Sequence, residues 1–158
     1  MQEPSKIIFL PDAEATRSLG FSLGQTLSAG STLLLEGELG SGKTTLVQGI
    51  GEGLGIRETI DSPTFTLINE YLDGRVPLYH FDLYRLDTIA AAALYPEMYW
   101  EGTEVKPGIV AIEWSERLRY KPSTYLEVQL TYDAAVGRQA RLSAIGSCSV
   151  VLEAIELI

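Results

Sequence analysis

One cysteine, Cys148, and one histidine, His80, are all that the chain has of either residue. A lone thiol excludes an intramolecular disulfide and a cysteine-based metal site. With no histidine near it in sequence, Cys148 reads as a structural thiol rather than a nucleophile. Basic residues are scarce as well, with 12 Lys and Arg against 21 Asp and Glu and a formal net charge of −9. Gripping a nucleic acid backbone draws on Lys and Arg, so unaided binding to one is disfavoured. The acidity suits solubility, and also docking on a basic protein surface. No apolar run approaches the roughly 20 residues of a membrane span. Met1 to Lys6 lack the basic and then apolar layout of a signal peptide, so a cytoplasmic location is expected. Repeats and low-complexity stretches are absent. So is the Asn-Lys-x-Asp motif of a GTP-dependent switch.

What the chain does have is Gly37-Glu38-Leu39-Gly40-Ser41-Gly42-Lys43-Thr44, a fit to the G-x-x-x-x-G-K-[ST] phosphate loop. Its flanks fit too. Thr32 to Glu36 before it reads as a buried strand, and Leu46, Val47, Ile50 and Leu54 after it share one helix face. Glycines let backbone amides turn inward on a polyphosphate, and the helix N-terminus adds partial positive charge. Lys43 is placed to neutralise the outer phosphates and Thr44 to ligate Mg²⁺. A nucleoside triphosphate site is therefore expected, with Glu38, Leu39, Gly40, Ser41, Gly42, Lys43, Thr44 and Thr45 around the nucleotide.

With 158 residues, 46% of them hydrophobic and 21% charged, the chain reads as one globular domain over 1–158. Lys6 to Leu10 suits an edge strand. Asp12 is a helix N-cap, followed by Ala15, Leu19, Leu23 and Leu27 at a spacing of four. Gly20 and Gly24 beside that stripe cost helix stability and allow close packing. The strand-like runs Thr66 to Leu72 and Val76 to Leu83 are joined by Asp73-Gly74, a hairpin signal. Asp87-Thr88 caps a short helix through Ala90 to Ala93. Tyr95 to Lys106 shows no period and is expected to be irregular. Ile109 to Ile112 is a buried strand tipped by Glu113. Leu126 to Tyr132 alternates like a strand wetted on one face, and Arg138 to Ile145 is its partner. In the tail, Val151, Leu152, Ile155 and Ile158 suit a closing helix. The fold class is α/β, a three-layer domain of the P-loop NTPase type with a mixed sheet.

Hydrolysis needs more than a phosphate loop, namely a metal held by Thr44 and by an acid at a nearby strand tip. Two strand tips offer one. Asp82 suits the metal and Glu113 the attacking water, while each also suits a helix cap. Thr64, in the loop Ser62-Pro63-Thr64-Phe65, reads either as a sensor of the γ-phosphate or as a turn former. His80 shares a face with Leu78 and Asp82 and reads as a satisfied core side chain or as a catalyst. Trp114 either stacks on a base or fills the core. Arg85 either reaches phosphate or pairs with nearby acids.

Four segments, Gly37 to Thr45, Ser62 to Phe65, Leu78 to Leu86 and Ile112 to Leu118, follow one another as they do in the bacterial TsaE family, which the chain resembles from Asp12 to about Tyr132. The run Tyr79-His80-Phe81-Asp82 with the later Glu113-Trp114 is the specific part. The resemblance implies a small Mg²⁺-dependent ATPase needed for threonylcarbamoyl modification of the adenosine beside the tRNA anticodon. It implies partners in the TsaD- and TsaB-like subunits that perform the transfer, with tRNA met only indirectly and no membrane. It puts the catalytic work on Glu113, Lys43 and Asp82, the metal at Thr44, Asp82 and Glu113, and the switch at Thr64. Trp114 joins the nucleotide contacts. Two departures stand out: the stretch between Leu86 and Pro107 is less acidic than usual, and Ser115 stands where proline is common. A P-loop small-molecule kinase is the alternative, although no Arg-rich insertion suggests a kinase lid. A nucleotide-gated binding module is a further one.

Overall fold

The computed structural model describes residues 4–135, 137–147 and 152–155. Seven strands form one mixed sheet in the order β1-β7-β6-β2-β5-β4-β3. They are β1 (Ser5–Leu10), β2 (Thr32–Glu36), β3 (Ile68–Tyr71), β4 (Leu78–Asp82), β5 (Ile109–Glu113), β6 (Tyr125–Asp133) and β7 (Gly137–Ile145). The middle four, β6, β2, β5 and β4, run parallel, while β3 and β7 run against them. The buried middle of this sheet explains why β4 and β5 carry hardly any alternation: every residue of both is buried.

Helices cover both faces. On one lie α1 (Ala13–Thr26) and α2 (Lys43–Gly53) over Leu33, Leu35, Leu78, Ala111, Val128 and Leu142. On the other, Tyr99 and Trp100 of the short α4 (Glu97–Glu101) and Ala91 of α3 (Thr88–Ala92) pack on Leu34, Tyr79, Phe81 and Ile112. This is the expected three-layer arrangement with a mixed sheet. Both expected N-caps are present. Asp12 Oδ1 accepts from the Ala15 amide at 2.8 Å and Asp87 Oδ1 from the Ala90 amide at 2.8 Å, contacts worth about 1 kcal/mol each.

The glycines of α1 meet glycines of α2. A Cβ on Gly20 would lie 2.2 Å from the Leu46 carbonyl oxygen, and one on Gly24 2.3 Å from that of Ile50. From the other side, Cβ atoms on Gly49 and Gly53 would strike the carbonyls of Arg17 and Phe21 at 2.1 and 2.3 Å. The two backbones are in direct contact, which no side chain could allow.

Three expectations are corrected. Residues 97–101 form α4 rather than irregular chain, because Tyr99 and Trp100 bury against β4 and β5 and supply an apolar face too short to show a period. The hairpin exists, but its strands are shorter and its connection is six residues, 72–77, not a tight Asp-Gly turn. Asp73 instead accepts from the Arg57 amide at 3.0 Å, and Gly74 lies where a Cβ would meet Leu54 and Ile56. In the tail, Leu152–Ala154 is a single 3₁₀ turn that buries Leu152, with Ile155 buried just beyond it. Cys148, Val151 and Ile158 lie outside the described residues.

Candidate functional site at the carboxyl ends of the parallel strands

The loop between β2 and α2 is held by conformations that suit glycine. Gly40 and Gly42 have φ of +78° and +106°, the second as the N-cap of α2. Lys43 and Thr44 thus start the helix, with its amides open toward the strand tips. Lys43 is 5% exposed. Its Nζ donates to the carbonyl of Gly37 and, at 3.0 Å, to that of Glu38, and lies 4.3 Å from the ring centre of Trp114. Burial pulls its pKa below the ordinary lysine value, against the raising influence of Glu113, Glu116 and Asp82.

Register brings the two acids together. Asp82 and Glu113 are paired positions on the adjacent parallel strands β4 and β5. Both are buried, at 7% and 3% exposure. Asp82 Oδ2 accepts from Ser62 Oγ at 2.8 Å, and Oδ1 from the Tyr84 amide at 3.0 Å. Ser62 Oγ is also 3.1 Å from Thr64 Oγ1, so the loop that holds Thr64 is tied to Asp82. Glu113 faces α2, its two carboxylate oxygens 3.2 and 3.1 Å from Thr44 Oγ1. His80 Nε2 is 2.5 Å from Glu113 Oε2.

The chain turns sharply after Glu113. Trp114 has φ of +58°, a left-handed conformation uncommon for so bulky a residue. That turn brings its ring against Tyr84, centroids 4.9 Å apart, and over Lys43. Trp114 therefore closes one wall of the site, with only part of its ring buried. Ser115, at the family's usual proline position, is fully buried and its hydroxyl donates to the Leu35 carbonyl at 3.4 Å.

A cavity of about 520 Å³ lies among these groups, lined by Gly40, Gly42, Lys43, Thr44, Thr45, Thr64, Asp82, Glu113 and Trp114. Arg85 and Arg138 also reach its wall. Among the described residues Arg85 makes no ion pair; its guanidinium lies 4.8 Å from the ring centre of Phe65. Glu38 and Ser41 line a neighbouring hollow of about 430 Å³ that shares Leu39 and Gly40. A larger one of about 660 Å³ opens at the other ends of β2 and β6, around Trp100 and Tyr120. It holds no phosphate loop and neither strand-tip acid, so the smaller cavity is the candidate site.

Hard oxygen donors are what Mg²⁺ takes, and Thr44 Oγ1 with the Asp82 carboxylate supplies them. No cluster of three or more His, Cys, Asp or Glu residues suited to a metal occurs among the described residues. Sequence reasoning placed Asp82 and Glu113 at strand tips and left His80 open between core side chain and catalyst. The contact of His80 with Glu113 crosses from β4 to β5 and has no local signal in the sequence.

The family model described as threonylcarbamoyl adenosine biosynthesis protein TsaE matches residues 10–140. A protein of Nostoc sp. strain PCC 7120, named tRNA threonylcarbamoyladenosine biosynthesis protein TsaE, is 62% identical over 143 residues, 90% of this chain and 88% of its own. A protein of that name from Bacillus subtilis strain 168 is 35% identical over 135 residues, 85% of this chain and 82% of its own. The crystal structure of Bacillus subtilis YdiB superposes with a TM-score of 0.76 at 31% identity, covering 92% of this chain and 89% of that one.

Proposed function

The chain belongs to the TsaE family, proteins of tRNA threonylcarbamoyladenosine biosynthesis, and on that premise we propose that it is a Mg²⁺-dependent ATPase serving that modification. The observation that supports the ATPase is the pairing of Asp82 with Glu113 beside Lys43 and Thr44. Lys43 neutralises the outer phosphates, and the amides at the start of α2 cradle them. Thr44 and Asp82 would hold Mg²⁺, which would supply neutralisation of charge on the phosphates. Glu113 orients a water and takes its proton as the water oxygen attacks the γ-phosphorus. The bond to the β-phosphate oxygen breaks, and ADP and phosphate leave. Thr64, tied through Ser62 to Asp82, senses the γ-phosphate.

Hydrolysis to ADP and phosphate drives or resets the transfer subunits, which are TsaD- and TsaB-like. Net charge of −9 speaks for tRNA being met through those subunits rather than gripped directly. No helix among the described residues is long and apolar enough to cross a membrane. A small-molecule kinase would also use the loop, but the relatives above are named for tRNA modification.

Two substitutions test the reading. Asp82→Asn removes a charged ligand from a hard cation, so metal affinity falls and added Mg²⁺ restores part of the turnover. Glu113→Gln keeps Mg·ATP binding and lowers hydrolysis by about 10²- to 10⁴-fold, beyond rescue by metal. Affinity and turnover are measured across a magnesium series. Turnover undiminished in both variants refutes the mechanism.

A further inference from the structure

We propose that His80 is the positioning residue for Glu113, the anchor that keeps this carboxylate aimed when Thr44 is taken up by the metal and phosphates. The inference rests on the reading of the site as an ATPase. His80 is fully buried on β4, two residues before Asp82, and its Nε2 lies 2.5 Å from Glu113 Oε2. Its Nδ1 is buried and has no hydrogen-bond partner among the described residues. A carboxylate oxygen 2.5 Å from Nε2 is an acceptor, so Nε2 is the donor and the ring holds Glu113 through it.

Glu113 is 3% exposed, and the partners of its carboxylate among the described residues are Thr44 and His80 alone. The two do not have the same future. The Thr44 hydroxyl is needed by the metal when nucleotide binds, so its bond to Glu113 is lost on loading. What remains is His80. A carboxylate that must hold a water in line needs a fixed orientation, and the scale expected for losing its anchor is the roughly 10- to 100-fold known for groups that orient metal ligands. His80 is fully buried and does not line the cavity, so it acts through Glu113.

The test compares His80→Met, which fills similar space without a donor, with His80→Gln, whose amide can return an N–H to Glu113. His80→Met should lower kcat by about 10- to 100-fold while the dissociation constant for Mg·ATP changes less than about threefold. His80→Gln should recover most of the loss. Equal kcat in wild type and His80→Met overturns the proposal, as does a parallel loss in both variants. A second readout needs no turnover. Because His80 is the chain's one histidine, ¹⁵N-histidine labelling yields a single imidazole spectrum. It should show a protonated Nε2, whose shift should move in Glu113→Gln. The opposite tautomer, or no response to Glu113→Gln, overturns the pairing even if His80→Met fails to fold. A wild-type protein that binds ATP but never hydrolyses it would instead sink the ATPase reading, with the spectrum still deciding the pairing.

Discussion

The contact between α1 and α2 makes a quantitative demand on Gly49. In Gly49→Ala the new methyl starts 2.1 Å from the Arg17 carbonyl oxygen, where at least 3.0 Å is needed. One backbone must therefore retreat by about 0.9 Å. Neither has a side-chain tip to rotate away, since the neighbouring atoms are the carbonyl of Arg17 and the Cα of Gly20. Overpacking costs typically 1–3 kcal/mol, and a backbone neighbour puts this case near 3. Alanine returns about 1 kcal/mol through helix propensity. The net loss is about 2 kcal/mol, or roughly 4–8 °C in Tm for a chain of this size. Gly51→Ala is the control. It sits in the same helix and gains the same propensity, but its closest neighbour is Cδ1 of Ile60, the end of a side chain that can turn. That variant should stay within about 1 kcal/mol of wild type. Urea unfolding of the three proteins measures both differences. Gly49→Ala as stable as Gly51→Ala would refute the backbone contact. Because α2 begins with Lys43 and Thr44, the retreat should also weaken nucleotide binding.

Other expectations follow from the site and its surroundings. Lys43→Met keeps the buried volume of that side chain and should leave the circular dichroism spectrum unchanged while calorimetry finds ATP binding severely weakened; undiminished affinity would exclude the loop as the site. Burial holds Lys43 with fewer protons in the folded than in the unfolded chain just below pH 10.5, so it makes stability rise with pH there. Lys43→Met should flatten that rise in unfolding curves taken between pH 8 and pH 10.5, values chosen as roughly bracketing lysine titration. Tyr79 has the opposite sign. Burial raises its pKa, so its contribution is complete below about pH 10 and is lost above it. Tyr79→Phe should cost about 1 kcal/mol through the lost bond to the Lys106 carbonyl and lessen the alkaline decline.

Much of this was legible in the sequence where local chemistry decides. The phosphate loop, its flanking strand and helix, and the caps Asp12 and Asp87 depend on residues within a few positions of one another. Asp82 and Glu113 were legible as strand tips because apolar runs end on them. Their pairing across β4 and β5 was not, since register is settled by tertiary packing. The same holds for His80, whose partner lies 33 residues away, and for Gly49 and Gly53, whose need for bareness is visible only against α1. The segment 97–101 escaped because one turn of helix has too few residues to show a period. Trp114 was legible as a candidate but not as a left-handed residue, since nothing in its neighbours demands that conformation.

The grip of Lys43 on its own loop turns phosphate binding into a substitution. The ammonium already has two carbonyl acceptors and an aromatic face. A triphosphate that takes Lys43 must displace these incumbents, and only the surplus of the new contacts over the old contributes to affinity. The same loop is spared a bare buried cation whenever no nucleotide is present. A ligand that engages the cradle at several points together would carry that surplus where a single phosphate group would not.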